Sequence, residues 1–265
     1  MAIEITDPDD ARIAGYRHIR ERDLVGRDGR FIAEGEVVLR VLMGSALCQP
    51  VSVLIDAKRQ ASLAPFLGRL PAKIPVYVAG QAVIDAIAGF HLHRGILALA
   101  ERSVTPGAAE LIAGLPAKAV VVCLFGIGNH DNMGGLFRNA AAFGADAVLI
   151  DAECCDPLYR KAIRVSVGAA LITPFARLGR AEDALGMLEA AGFQILALSP
   201  AGEVSLGEVE PAQRVAVLLG AEGPGLPANI LARTTTVRIP IETGFDSLNV
   251  ATTSGIVLHH LRAAS

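Results

Sequence analysis

Tryptophan is absent from the 265 residues, tyrosine occurs three times, and aromatic residues make up 5% of the chain. A core must therefore be assembled from aliphatic side chains. Cysteine is scarce as well: Cys48, Cys123, Cys154 and Cys155. None of them forms a C-x-x-C pair, and two are adjacent, which is poor geometry for an ordinary bridge. That pattern excludes a disulfide framework and a zinc knuckle, and leaves buried thiols in a reducing compartment. No apolar run reaches the eighteen or so residues that a membrane helix needs. The opening stretch MAIEITDPDDARIAGY lacks the basic and apolar segments of a signal peptide, so a cytoplasmic location is expected. Charged residues are only 19% of the chain and the net charge is −3. That excludes a protein coated in basic charge and leaves room for a local basic patch.

What is present is apolar: 52% of the residues, mostly Ala, Val, Leu and Ile. A chain of this length and composition supports two modest α/β domains or one large one. Residues 1–100 carry a net charge of +1 and residues 101–265 a net of −4. Six arginines, Arg12, Arg17, Arg20, Arg22, Arg27 and Arg30, fall within nineteen positions. Charge alone favours a solvated arginine-rich helix for that cluster.

Alternating elements are legible along the first hundred residues. FIAEG (31–35) reads as a strand entering the helix EVVLRVLMGS, and VSVLIDA (51–57), IPVYVAG (74–80) and ILALAE (96–101) read as strands. QAVIDAIAGF (81–90) has helical spacing with Val83, Ile84, Ile87 and Phe90 on one face. The stretch 102–118, with two prolines and two glycines, is expected to link the first unit, 1–101, to a second, 119–265. The second unit alternates again: VVVCLF, a glycine-bearing loop and helix, AVLI, a helical stretch around 157–171, ITPF, a helix over 181–191, FQILAL, VAVLLG, a short helix from Pro227, VRIPI and a last helix over 247–262. Such alternation predicts a mostly parallel sheet covered on both faces.

Three loops follow strands, where open parallel sheets bind ligands. The first, FGIGNHDNMGGLFRNAAAFG (125–144), resembles a dinucleotide fingerprint, and Asp151 stands about where a ribose-binding acid would. Gly126 and Gly128 fit G-x-G-x-x-G, but Asp131 takes the third glycine's place, and a carboxylate there would repel a pyrophosphate. Arg138 is placed in the first turn of the helix, where the helix dipole disfavours a cation; an anionic ligand or a buried ion pair would justify it. The second loop, LGAEGPGLP (219–227), has three glycines that let a flat ligand lie against backbone, with Glu222 free to cap a helix, pair with Arg138 or meet a cation. The third, RIPIETGFDSLNVA (238–251), has a strand ending at Pro240 and Asp246 or Ser247 as a cap for the last helix. Behind it the small residues 251–255 suit close helix or subunit packing.

Taken in order, N-x-x-N-x-G-x-x-x-R (129–138) with A-x-x-F-G, R-x-S-V-G-A (164–169), G-A-E-G-x-G (220–225) and I-P-x-E-x-G-x-x-S-L-N-V (239–250) resemble the motifs of the SpoU or TrmH-type RNA 2′-O-ribose methyltransferases of the SPOUT superfamily. R-D-G-R-F-I-A-E-G (27–35) and H-R-G-I-L-A-L (93–99) are similar to the start and end of that family's small ribosomal-protein-like α/β substrate-binding domain. His130-Asp131 departs from the Asp-Pro-type dipeptide that the family often has before Asn132. The resemblance implies a C-terminal parallel-sheet domain with a trefoil knot, S-adenosylmethionine as cofactor, RNA (ribosomal or transfer) as substrate, no metal, and a homodimer formed through the knotted domain. It implies that Leu198, Gly220, Ile239 and Leu248 hold the cofactor. It also implies that Arg138 acts on the ribose hydroxyl, with Asn132, Glu222, Ser247 and Asn249 orienting it and the substrate. In a substrate domain, Arg20, Arg22, Arg27 and Arg30 become candidates for RNA phosphates. His91, His93, His259 and His260 lack a carboxylate or thiol at ligand spacing and are expected as surface histidines. The other reading of the same motifs is a non-catalytic RNA-binding module that kept the fold. A nicotinamide-dependent oxidoreductase requires a third glycine where Asp131 stands.

Overall fold

The computed structural model describes residues 2–17, 29–89, 95–103, 106–179 and 181–263, the side chains of 181–183 apart. Two sheets organise the chain, one in each of two compact units. The first unit comprises Met1–Val104 and Leu158–Ile172, and the second Thr105–Pro157 and Thr173–Ser265.

In the first unit the strands are β1 (Ala2–Ile5), β2 (Arg30–Glu34), β3 (Cys48–Asp56), β4 (Val76–Ala79) and β5 (Ile96–Arg102), in the order β1-β4-β3-β5-β2. β1, β4 and β3 run parallel, and β5 pairs antiparallel with both β3 and β2. Helices α1 (Glu36–Met43), α2 (Gln60–Leu67) and α3 (Gln81–Ala88) accompany the sheet. Each buries one stripe, as a 3.6-residue period dictates: Val38, Leu39 and Leu42 on α1, Ile84 and Ile87 on α3. Phe90, expected on the α3 stripe, lies outside the described residues. β1 has no counterpart in the sequence reading; four residues of mixed exposure give little periodicity to read. Inside this core the Tyr16 hydroxyl, 2.7 Å from Ser52 Oγ, accepts the Leu99 amide at 3.2 Å. Burial pushes the Tyr16 phenol's pKa well above its ordinary value.

The stretch around 157–171 folds as α6 (Arg160–Val165) and a 3₁₀ turn over Ala169–Leu171, and it packs with the first unit. Arg160 Nη1 donates to the buried Glu34 Oε2 at 2.5 Å, and Ser45 Oγ donates to the Leu171 carbonyl at 2.5 Å. The R-x-S-V-G-A motif thus has a structural use: Ser166 Oγ donates to the Ile163 carbonyl, and Val167, alone among the described non-glycine residues, has a positive φ, 55°.

In the second unit seven parallel strands stand in the order β10-β12-β9-β11-β6-β7-β8: β6 (Ala119–Phe125), β7 (Ala147–Ile150), β8 (Phe175–Arg177), β9 (Gln194–Leu198), β10 (Val204–Ser205), β11 (Arg214–Gly220) and β12 (Thr235–Arg238). The continuous apolar runs of β6 and β11 are buried on both faces, as parallel strands require. One face packs Val121, Cys123, Phe125, Ala216 and Leu218 against α4 (Ala108–Ala113), α7 (Ala181–Ala190) and α8 (Ala228–Leu231). α4 lies inside the stretch read as a linker, and its Ile112 is buried in this core. The longer helices α5 (His130–Ala142) and α9 (Val250–Ala263) pack on each other, and α9 also contacts β11.

Three boundaries differ from expectation. β8 begins at Phe175 rather than with ITPF, β12 ends at Arg238 rather than Pro240, and α9 begins at Val250. Proline has no amide to give a ladder, so the strand stops before Pro240. Among the described residues no helix is long and apolar enough to cross a membrane.

Candidate active site

A cavity of about 410 Å³ opens at the carboxyl ends of β9, β11 and β12. Its wall is Leu198, Ser199 and Pro200 after β9, Leu219 to Gly223 and Gly225 after β11, Val237, Ile239 and Ile241 from β12 onward, and Ser247 to Val250 with Thr253 leading into α9. These are places where a parallel sheet leaves backbone amides and carbonyls without ladder partners. All four residues expected at a cofactor, Leu198, Gly220, Ile239 and Leu248, line this one space, as do Glu222, Ser247 and Asn249. Sequence reading gave no ligand role to Ser199, Pro200, Val237 or Thr253, the last of which it placed on a packing face. The only signal for the first two was a Ser-Pro pair directly after an apolar strand.

Gly220 shows why glycine is needed here. A Cβ on it would lie 2.2 Å from the Gly225 carbonyl carbon and 2.4 Å from the Leu226 nitrogen, so the turn after β11 folds back onto its own strand end. The Gly225 amide closes that turn by donating to the Ala221 carbonyl at 3.0 Å. Glu222 is carried on its outer side.

Glu222, Asn132 and Asn249 form a closed polar triangle. Asn132 Nδ2 donates to Glu222 Oε1 at 2.6 Å, and Asn249 Nδ2 donates to Asn132 Oδ1 at 2.9 Å and to Glu222 Oε1 at 3.1 Å. One residue comes from each of the three loops singled out in the sequence, so the triangle ties the loops together. Asn249 has a second task. Its Oδ1 accepts the Ala251 and Thr252 amides at 2.9 and 3.2 Å and caps α9. The cap is therefore Asn249, not Asp246 or Ser247.

Arg138 is differently placed from expectation. α5 starts at His130, capped by Asn129 Oδ1 on the Asp131 amide at 2.8 Å, so Arg138 stands in its third turn and the dipole argument does not apply. The segment DNMGGLF is helix rather than loop because a single good cap precedes an apolar stripe of Met133, Leu136 and Phe137. Arg138 is exposed and, among the described residues, makes no hydrogen bond or ion pair. It does not pair with Glu222 and is not part of the cavity wall. Six residues beyond Asn132, it lies about 9 Å further along the helix and about 120° around it.

α5 and α9 meet through small residues. A Cβ on Gly135 would come 2.7 Å from that of Ala251, and Asn139 Nδ2 donates to the Ala251 carbonyl at 2.6 Å and to Ser254 Oγ at 2.9 Å. The small-residue face of 251–255 serves this helix contact. Asn139, which fixes it, was not read from sequence. Arg30 sits on β2 with its Nε 3.9 Å from Glu101 Oε2, while Arg20, Arg22, Arg27, His91 and His93 lie outside the described residues. His259 stacks edge-on against Phe143, ring centroids 5.9 Å apart. Among the described residues no cluster of three or more His, Cys, Asp or Glu could hold a metal ion.

A parallel sheet whose strand ends wall a glycine-lined, largely apolar cavity, tied by a polar triangle, defines an α/β protein built for a small flat ligand. The SpoU rRNA Methylase family model matches residues 119–259. An uncharacterized tRNA/rRNA methyltransferase of Mycobacterium bovis is 40% identical over 265 residues, covering 97% of this chain and 90% of the relative. The AdoMet-bound rRNA methyltransferase of Sinorhizobium meliloti superposes with a TM-score of 0.83 at 24% identity, over 99% of this chain and 98% of that one. The SpoU methyltransferase AviRb of Streptomyces viridochromogenes, solved with AdoMet, gives 0.83 at 19% identity, over 96% and 98%. The chain belongs to the SpoU rRNA methylase family of RNA methyltransferases.

Proposed function

We propose that this protein transfers a methyl group from S-adenosylmethionine to a ribose 2′-hydroxyl of RNA, with ribosomal RNA the favoured substrate. The observation that carries the reading is the convergence of three separate loops on one cavity, held by the Asn132–Glu222–Asn249 triangle. The cavity fits such a cofactor. Its 410 Å³ lies in the range of small-molecule sites, the close return of the turn at Gly220 presents backbone at the cavity wall, and Leu198, Ile239 and Leu248 offer apolar surface to a purine.

When bound, the cofactor supplies an already activated methyl group. The protein's remaining work is to place the ribose oxygen in line and handle its proton. The triangle holds Glu222 and Asn249 at the cavity wall without any donor from Arg138. Glu222 Oε1 takes both amides, while Oε2 accepts nothing among the described residues. A guanidinium does not serve as a resting base, since its pKa lies above about 12. A charged Arg138 instead binds phosphate and stabilises developing negative charge on the ribose oxygen.

Because Arg138 does not line its own chain's cavity, this role is best met in a homodimer, where Arg138 of the partner subunit reaches the site. The knot implied by the family motifs belongs to the same proposal. The test is transfer of labelled methyl from S-adenosylmethionine to total RNA, followed by mapping of ribose methylation. Arg138→Ala is expected to keep cofactor binding and abolish transfer; normal turnover by that variant would refute the mechanism.

A further inference from the structure

The loop between β12 and α9 stands on two feet, Ile241 and Ser247, both of which line the cavity. Between them the chain makes a tight turn: the Phe245 amide donates to the Glu242 carbonyl at 3.2 Å, and Gly244 takes a φ of 92°, which a side chain would resist. The turn lifts Phe245 into solvent with 73% of its surface exposed, the highest value among the exposed large hydrophobics of the described residues. Its ring contributes nothing to the core of the unit and does not line the cavity. A phenylalanine so displayed, on a turn whose two ends reach into a ligand cavity, has its solvation cost unexplained by folding.

We infer that Phe245 is a stacking platform for an unpaired nucleobase of the RNA substrate, positioning the strand whose ribose enters the site. The inference rests on the RNA methyltransferase reading above and names how the substrate is gripped. Single-stranded RNA is recognised by splaying bases onto aromatic faces, which every base can do. The charges of the turn point the same way. Glu242 and Asp246 belong to the same turn and are both exposed, so they repel phosphates and favour a strand that turns its bases, not its backbone, toward this loop. Carboxylates also accept from exocyclic base amines. Phe245 is a positioning residue; it supplies no group to the reaction.

The chain has no tryptophan, so Phe245→Trp places a single fluorophore at the proposed contact. Titration of this variant with a single-stranded 12-mer RNA is expected to quench its emission, saturating at the concentration where fluorescence anisotropy reports binding of the same labelled RNA to the wild type. Phe245→Ala is expected to weaken RNA binding about tenfold and raise KM for RNA by a similar factor, with the affinity for S-adenosylmethionine and kcat at saturating RNA unchanged. Phe245→Tyr should restore binding and Phe245→Leu should not, since stacking needs a ring. Unchanged tryptophan emission while the wild type binds RNA would overturn the inference, as would full RNA affinity in Phe245→Ala. An emission change that follows protein concentration rather than RNA, with altered sedimentation of Phe245→Ala, would overturn it in favour of contact with a second copy of the chain. Failure of the wild type to bind or methylate any RNA would instead remove the functional reading itself.

Discussion

Replacing Gly220 with alanine tests whether the cavity depends on the close return of the turn after β11. The backbone dihedral at Gly220 is not left-handed, so alanine costs nothing in conformation and the penalty is steric alone. The added carbon would sit 2.2 Å from the Gly225 carbonyl carbon, against an ordinary contact of at least 3.4 Å, and must drive the turn back by about 1.2 Å. The atoms it meets are backbone, which cannot swing aside. Overpacking of this kind costs about 2 kcal/mol, which lowers the melting temperature by about 4–8 °C. The larger effect is on the ligand. Ala221, Glu222, Gly223 and Gly225 wall the cavity and move with the turn, and Glu222 Oε1 leaves the two amides it now accepts. A wall displaced by about 1.2 Å is expected to lose contacts with S-adenosylmethionine, and each roughly 1.4 kcal/mol so lost weakens its binding about tenfold. Calorimetric titration of wild type and variant measures this directly. Two controls isolate the cause. Gly207→Ala meets nothing within 4 Å, whereas Gly223→Ala has open space but a φ of 89°, so it reports strain without collision. If Gly220→Ala bound the cofactor within threefold of wild type with an unchanged melting temperature, the reasoning would be refuted.

Asn249→Asp keeps the oxygen that caps α9 but loses the amide that joins the triangle and sets a second carboxylate beside Glu222; it is expected to cut methyl transfer strongly with little loss of stability, whereas Asn249→Ala should also cost about 1 kcal/mol from the lost cap, by thermal melting. Glu34→Ala leaves Arg160 mostly buried without its carboxylate and is expected to cost about 3 kcal/mol in urea unfolding, part of which the double variant with Arg160→Met regains; a cost under about 1 kcal/mol would show the pair to be dispensable. Burial pushes the Cys48 and Cys155 thiols up to about 11 and the Cys123 and Cys154 thiols higher still. At pH 8 about one thiol in a thousand of Cys48 or Cys155 is then ionised, so a disulfide reagent should label the native protein slowly and all four cysteines quickly after unfolding.

Strand-to-strand alternation was legible because its signal is local: β3, β5, β6 and β11 are apolar runs bounded by turn residues, and α1 and α3 carry their stripes openly. Where the reading slipped, the deciding interaction lies far away in sequence. The stretch 158–172 alternates like its neighbours, yet its partners are Glu34 and Ser45, more than a hundred residues earlier. Arg138 was placed near a helix start because its glycines looked like a loop, whereas Gly135 is needed for the approach of Ala251, 116 positions on. The polar residues of the three loops could be singled out by their oddness, each a costly group in a tight turn, but not how they join. Glu222 had three open partners in sequence terms; the fold selected two asparagine amides.

Asp151 shows how a correct observation of residue type still needs its surroundings. It directly follows β7, where a dinucleotide-binding sheet keeps the acid that grips ribose hydroxyls. Here its Oδ2 accepts the Gly126 amide at 3.0 Å, and its Oδ1 accepts those of Glu153 and Cys154 at 3.1 and 2.9 Å. A carboxylate has about four lone-pair sites, and three are taken by backbone, so too little remains for a bidentate grip on a sugar. The acid is spent on folding the loops after β6 and β7. The cavity opens instead on the other side of β6, at the ends of β11, β9 and β12. That shift across the sheet, from β7 to the β12-β9-β11 edge, is what separates this cavity from a nicotinamide site built on similar-looking sequence.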